Sequence, residues 1–458
     1  MTATRDHLPC FKAYDIRGRI PDELNEDMAR EIGRAFVHLK GCRKVVVGHD
    51  MRLSSEGITA ALTEGMLSMG ADVIDIGLCG TEMIYFATAH LESEGVDGGI
   101  VVTASHNPSD YNGMKMVAKG SVPISQDSGL RDIEQLVLTG GVPAGPGGGT
   151  RSERKVMDEY VAHLLTYVDV ASLKPLKLVS NPGNGCAGLV IEALAPHLPF
   201  EFVKLMHEPD GTFPNGVPNP LLVENRAPTI EAMRASGADI GLAWDGDYDR
   251  CFFFDEHGGF IEGYYMVGLF AEELLRRDPG GRVVHDPRLT WNTVQMVEAA
   301  GGNPVLCKSG HAFIKERMRA ENAVYGGEMS AHHYFRDFAY CDSGMIPWLL
   351  VAGIMSRTGK TLSELVGARQ AAYPCSGERN LTIADPKAAL AEMRRRYEAA
   401  ALAFDETDGV SFEFETWRFN LRMSNTEPVV RLNVETRADA ALLQARTDEL
   451  IGILESLG

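Results

Sequence analysis

Short apolar runs rich in β-branched residues recur along this chain. Three of them open on a basic residue and close at a polar turn from which a helical pattern starts: 44–50, 177–181 and 282–286. After each helical pattern comes a second run (72–77, 200–206, 304–308), then a third (99–103, 239–244, 323–325) that ends in an unusually polar loop. Continuous apolar strands alternating with helices predict parallel sheets covered on both faces. Threefold recurrence of one unit predicts three α/β domains related by duplication. The Gly/Pro-rich stretch 140–150 and the turn at 255–259 mark the breaks between them.

Beyond residue 367 the pattern changes. A long helical pattern (386–403) precedes strand-like runs at 412–414, 417–422 and 429–435, and a closing helix spans 438–457. Strands clustered between helices predict a small α+β domain with an antiparallel sheet. The expected class is therefore α/β: three repeated domains (1–150, 151–254, 255–367) with mixed or parallel sheets, plus a C-terminal α+β domain (368–458), around one central cleft. Ligands of such folds bind at domain junctions and beyond the C-terminal ends of parallel strands.

Composition narrows the functional classes. Hydrophobic residues make up 45% of 458 and charged residues 23%, which excludes a disordered or fibrous chain. Asp and Glu number 63 against 44 Lys and Arg, a formal net charge of −19. No overall basic field exists to attract nucleic acid or an anionic membrane, so an anionic ligand needs a local positive pocket. The longest apolar stretch, near 345–355, is interrupted by Pro347 and Gly353 and is too short to span a bilayer. The N-terminal residues lack the apolar core of a signal peptide, and the eight cysteines stand singly with no CxxC pair. The expectation is a reduced, cytoplasmic protein, a monomer or weak dimer, acting on a small molecule.

Candidate chemistry lies in the polar loops. Thr-Ala-Ser-His-Asn-Pro at 103–108 presents Ser105 at a strand end beside His106 and Asn107. Such a serine is either a polar turn or a nucleophile that a base, a metal or prior phosphorylation activates; no G-x-S-x-G elbow supports hydrolase chemistry. Asp245, Asp247 and Asp249, with Gly246 allowing a bend, offer hard oxygen ligands. An EF-hand reading fails, because Arg250 stands where the turn demands Gly and the flanks are strand-like. A buried run at 252–254 puts the carboxylates at a cleft edge, which favours a catalytic Mg²⁺ site. The glycines at 183, 185 and 188 match G-x-G-x-x-G, but the acidic candidate Glu208 lies beyond the next strand, so they predict close helix–strand packing rather than a dinucleotide site. Glu328, Ser330 and His332 suit sugar hydroxyls, and the 422–426 turn with Arg431 suits a phosphate dianion.

Together the four loops resemble those of the α-D-phosphohexomutase superfamily, one motif per domain and in the family's order: T-[AG]-S-H-N-P, D-G-D-x-D-R, G-E-x-S and R-x-S-N-T-E-P. Residues 327–350, with Met329, look like the bacterial phosphomannomutase branch. The resemblance implies reversible interconversion of mannose 6-phosphate and mannose 1-phosphate through a hexose 1,6-bisphosphate, supplying GDP-mannose synthesis. Glucose substrates, alone or alongside mannose, are the alternative; a metal-dependent phosphomonoesterase is a more distant one. The resemblance further implies that Ser105 carries the phosphoryl group, with Asp245, Asp247, Asp249 and Ser105 itself as Mg²⁺ ligands and Arg250 beside the transferring group. Arg17 and Tyr14 match an N-terminal active-site segment. Lys115 or His106 is the implied base; Arg288, Lys308, His311 and His332 match basic substrate-binding positions. Glu328 and Ser330 match the sugar-binding residues. Arg422, Ser424, Asn425, Thr426 and Arg431 match the site for the non-reacting phosphate. Two departures stand beside these residues: Tyr248 and Ala331, where many members have Gly.

Overall fold

A computed structural model describes residues 7–423 and 429–457. The three repeats share one topology. In the first, Lys44–His49 runs parallel between Asp72–Leu78 and Gly98–Val102, and Tyr111–Ala118 returns antiparallel beside the latter. In the second, Lys177–Asn181 lies parallel between Glu201–Lys204 and Ile240–Trp244, with Cys251–Phe254 returning antiparallel. In the third, Arg282–His285 lies between Asn303–Leu306 and Tyr325–Gly327, with His333–Phe335 returning. The polar loop in each repeat is thus the turn between the third parallel strand and its antiparallel return. Gly98–Val102 and Ile240–Trp244 are buried along their whole length, as strands covered on both faces must be.

The first repeat adds Ile16–Arg19 antiparallel to Tyr111–Ala118, and Arg151–Glu153 at the opposite edge. Helix Glu26–Lys40 starts at Asn25, whose side chain accepts the Met28 N–H, and ends at Gly41 in the left-handed conformation. It crosses helix Ser55–Ser68 in backbone contact: a Cβ on Gly65 would lie 2.1 Å from the Arg30 carbonyl oxygen.

The chain forms two compact units. One contains residues up to Phe260 together with Asp337–Gly359; the other contains Ile261–Arg336 and the chain from Lys360 onward. Residues 337–359 thus pack with the first unit. Helix Ile346–Thr358 is held in the first unit by Trp348, whose ring packs in T-shaped contacts with Phe200 and Phe202, and by Trp244 Nε1, which donates to the Gly344 carbonyl at 2.9 Å. At the start of this helix, buried Glu82 accepts the Gly344 and Met345 N–H groups and the Tyr160 hydroxyl.

In the second unit the C-terminal strands form an antiparallel sheet in the order Cys375–Thr382, Val429–Thr436, Trp417–Met423, Val410–Glu413, Ala403–Asp405. Helices Pro386–Tyr397 and Ala440–Glu455 complete its core around Phe412, Phe419, Leu432 and Leu454. The helix expected to reach 403 stops at Tyr397, and Ala403 instead pairs with Glu413 as an edge strand. No helix among the described residues is long and apolar enough to cross a membrane.

Candidate active site

Ser105 follows strand Gly98–Val102, and its backbone is held in the left-handed region at φ 49°. Thr103 Oγ1 accepts the Ser105 N–H at 2.9 Å. The Ser105 hydroxyl donates to Asp245 Oδ2 at 3.0 Å and lies 3.1 Å from His106 Nδ1. Arg250 Nη2 donates to the same Nδ1 at 2.6 Å. Burial, aided by the Arg250 and Arg17 guanidiniums, holds the His106 imidazole well below its ordinary pKa, so the ring is neutral with a lone pair at Nδ1.

Asp245, Asp247 and Asp249 leave the end of Ile240–Trp244 fully buried, and each offers an oxygen within 4.8 Å of the others. Arg250 donates to Asp245 Oδ2 from Nε and Nη2 at 2.9 and 2.7 Å. Lys115, on the antiparallel return strand Tyr111–Ala118, reaches Asp247 at 2.7 Å and Asp249 at 2.5 Å. Burial disfavours the Lys115 charge, but the two carboxylates outweigh it and raise its pKa, so it is held as an ammonium ion. Burial likewise raises Asp245, to about 6, against the opposing pull of Arg250. Thr81 Oγ1 donates to Asp247 Oδ2 at 2.5 Å, while Asp247 Oδ1, also buried, accepts no hydrogen bond among the described residues. Three clustered carboxylates, one with an orphaned oxygen, and a serine hydroxyl alongside form a donor set that fits a hard divalent cation.

Arg17 is brought in by the edge strand Ile16–Arg19. It donates to Asp15 Oδ2 at 2.8 Å and to Asn107 Oδ1 of the serine loop at 2.7 Å. Tyr14 is half-buried in the turn just before that strand.

The second unit holds the remaining described residues. Glu328 Oε1 accepts the Gly310 N–H at 3.0 Å and Arg288 Nη2 at 3.3 Å, and Oε2 accepts the Tyr334 hydroxyl at 2.5 Å. Arg288 also reaches Ser330 Oγ at 3.3 Å and is anchored to Asp286 at 2.8 Å. His332 Nδ1 lies 3.5 Å from Ser330 Oγ. His311 opens helix His311–Glu321, and exposed Lys308 lies over the Phe313 ring. Arg422 and Arg431 face each other across strands Trp417–Met423 and Val429–Thr436. Between their charges sits Glu378, 3.1 Å from Arg422 and 3.7 Å from both Arg431 and Arg288. Burial opposes its charge, yet the three guanidiniums hold its carboxyl below the ordinary range. Ser424, Asn425 and Thr426 lie outside the described residues.

Four domain models of phosphoglucomutase/phosphomannomutase match in order: α/β/α domain I at 9–141, II at 158–259, III at 262–373 and the C-terminal domain at 378–452. The chain belongs to this family. It is 61% identical over 447 residues to phosphohexose mutases of Xanthomonas campestris pv. campestris, covering 98% of this chain and 99% of that one. It is 58% identical over 458 residues to a phosphomannomutase of Salmonella montevideo, covering 98% and 100%. A solved phosphoglucomutase/phosphomannomutase family structure from Burkholderia thailandensis superposes with a TM-score of 0.88 at 35% identity, covering 98% and 97%.

In this phosphoglucomutase/phosphomannomutase family member the two departures from glycine have a common geometry. Tyr248 and Ala331 both adopt positive φ, 45° and 70°, the region that favours glycine. Tyr248 is accommodated because Gly80 has no side chain: a Cβ there would lie 2.2 Å from the tyrosine ring. The tyrosine hydroxyl in turn accepts the Gly80 N–H at 3.2 Å. The glycines at 185 and 188 make the close approaches expected of packing residues: a Cβ on Gly188 would lie 2.2 Å from the His207 carbonyl oxygen. The Cys186 N–H donates to Gly246, so this turn supports the metal loop. Sequence reading did not single out Arg52, Thr81, Asp286 or Glu378. The two arginine turns carried a signal, because His-Asp-x-Arg occurs at both 49–52 and 285–288.

Proposed function

We propose that this chain is a phosphomannomutase that interconverts mannose 6-phosphate and mannose 1-phosphate through phospho-Ser105 and a hexose 1,6-bisphosphate. The observation that carries this reading is the Ser105 hydroxyl 3.0 Å from Asp245, inside a buried carboxylate cluster flanked by Arg250 and Lys115. Its 57–58% identity to several bacterial phosphomannomutases supports mannose as the sugar. Phosphoryl transfer is governed by positioning and charge neutralisation, which this cluster is built to supply.

Asp245, Asp247 and Asp249, with the group on Ser105, would hold Mg²⁺. When bound, the cation neutralises charge on the transferring phosphoryl group. Arg250 is placed to contact that group as it leaves Ser105. His106 Nδ1, 3.1 Å from the serine oxygen, would take a proton once Arg250, 2.6 Å from the same nitrogen, turns to the phosphoryl group; Lys115, the counter-charge of Asp247 and Asp249, is the other base in the cluster. Arg17 steadies Asn107 and thereby the loop. In the second unit, Arg288, Arg422 and Arg431 would take the phosphate that is not transferred. Glu328 and Ser330 would read the sugar hydroxyls. The cysteines, free and mostly buried, suit a reducing cytoplasm.

The test is an isomerisation assay with mannose 1-phosphate and catalytic bisphosphate, alongside inorganic phosphate release. The expected product is mannose 6-phosphate, with Ser105 partly phosphorylated by intact-mass analysis. Ser105→Ala should lose at least about 10⁴ in kcat while folding normally. Stoichiometric release of free mannose and phosphate would instead make the protein a phosphomonoesterase.

A further inference from the structure

All three repeats end their first strand in the same turn. Asp50 Oδ1 accepts the Arg52 N–H at 3.0 Å, Asn181 Oδ1 the Gly183 N–H at 3.0 Å, and Asp286 Oδ1 the Arg288 N–H at 2.9 Å. What differs is the side chain two residues on. In the third repeat it is an arginine that reaches side chains of the adjoining polar loop, Glu328 and Ser330. In the second it is Gly183, which packs on Pro218, and the metal loop is met further along the turn, where the Cys186 N–H donates to the Gly246 carbonyl.

In the first repeat the arginine does something else. The Arg52 side chain and its partner Asp50 are wholly buried, 3.4 Å apart. Its two terminal nitrogens donate to four backbone carbonyls of the serine loop and its exit: Nη1 to Pro108 at 2.6 Å and Tyr111 at 2.9 Å, Nη2 to Ser105 at 3.0 Å and Asn107 at 2.6 Å. A planar guanidinium fork fixes four acceptors in one geometry, which an ammonium cannot do. The backbone so held is the one that needs holding. Ser105 is a non-glycine residue at φ 49°, a conformation that persists only where its surroundings over-determine it. With the carbonyl of Ser105 pinned from one side, its hydroxyl is aimed at Asp245 on the other.

We infer that Arg52 is a positioning residue for phosphoryl transfer, clamping the serine loop in its left-handed bend by four carbonyl contacts. It occupies the place that the third repeat gives to Arg288, whose guanidinium reaches Glu328 and Ser330 side chains instead. The inference rests on Ser105 being the phosphoryl carrier.

The experiment compares Arg52→Lys with the parent enzyme, each rate divided by the phospho-Ser105 content from intact mass. Arg52→Lys keeps the charge but cannot span four acceptors. Loss of alignment should lower kcat by about a hundredfold, since a displacement of about 1 Å has that effect. KM for mannose 1-phosphate should stay within about threefold, because nothing that grips the substrate has changed. Asp50→Asn, which loosens the tether while leaving Arg52 in place, should lower kcat about tenfold with the same unmoved KM; this variant decides if Arg52→Lys does not fold. Parental kcat per phosphoserine in a folded variant overturns the clamp. A parent enzyme with no phosphate on Ser105 removes instead the functional reading beneath it.

Discussion

The metal loop of the first unit and the arginine nest of the second are charge-inverted versions of one device. In the loop, three carboxylates are balanced by Arg250 and Lys115. In the nest, Arg288, Arg422 and Arg431 converge on Glu378, with Asp286 also on Arg288. Each set of binding charges thus rests against internal partners, and a ligand exchanges one partner for another rather than meeting a bare buried ion. The two differ in openness. Side chains of Asp247, Asp249 and Lys115 are 0, 3 and 7% exposed; in the nest Arg288 is as buried, at 4%, but Arg422, Glu378 and Arg431 are 12, 24 and 30% exposed. Deleting a counter-charge should therefore act on folding in the first case and on binding in the second.

The largest expected effect is therefore on stability. Lys115→Met leaves Asp247 and Asp249 buried without their cation, and breaking such a pair from one side costs about 3–5 kcal/mol. Thermal unfolding in excess chelator should show that loss. Millimolar Mg²⁺ should recover much of it, because a ligand that binds only the folded state stabilises it. An unchanged melting temperature in chelator would mean that the lysine is not the counter-charge.

Glu82 is the contrasting case, a buried carboxylate with no cation paired to it among the described residues. Burial raises it to about 8, although Tyr160, Gly344 and Met345 donate to it. The unfolded chain holds an ordinary glutamate near 4.5. Between these values the folded state carries a proton that the unfolded state lacks, so stability falls as pH rises, by at most about 1.4 kcal/mol per unit. Glu82→Gln removes the titrating group. From pH 6 to 8 its stability relative to the parent should improve by up to about 2–3 kcal/mol, read as diverging melting temperatures. Parallel curves across that range would contradict the assignment.

How much of this was legible beforehand follows from the same physics. The parallel strands could be read because strands buried on both faces leave continuous apolar runs, as Lys44–His49 and Ile240–Trp244 do. The edge strands Ile16–Arg19, Cys375–Thr382 and Ala403–Asp405 could not, since half-exposed polar strands carry no such run. Loop chemistry was visible wherever its residues are contiguous, as at 245–250. The partners that tune it come from far along the chain: Lys115 lies 132 residues from Asp247, and Arg52 lies 53 from Ser105. Strand pairing brings Arg52 to the serine loop, but Lys115 and Asp247 belong to separate sheets of the first unit and meet only through tertiary packing, and Glu378 left no motif at all.

In the nest the effects should shift from stability to affinity. Arg422→Ala removes a charged hydrogen bond to the phosphate dianion worth about 1.5–3 kcal/mol, so KM should rise roughly ten- to a hundredfold. Because the grip serves ground state and transition state alike, kcat should move much less. Its partly exposed pair with Glu378 should contribute no more than about 1 kcal/mol to folding. An unchanged KM would refute the nest.

The smallest effect is the sharpest test of the comparison. Glu378 is the only carboxylate described within 4 Å of both Arg422 and Arg431, and its charge stands where a phosphate dianion would be attracted. An entering anion must share those guanidiniums with it. Glu378→Gln keeps the shape and one oxygen acceptor for Arg422 but removes the competing charge. Screening by solvent at this half-open site limits the gain, so inorganic phosphate should inhibit about threefold more tightly, with KM for mannose 1-phosphate falling in step. The same neutralisation in the metal loop, at Asp247, should do the reverse and weaken its ligand, since there the carboxylate is the binding group rather than its counter-charge. If Glu378→Gln instead binds phosphate more weakly, the glutamate organises the arginines for their ligand rather than competing for them, and the two sites are not inverted copies of one device.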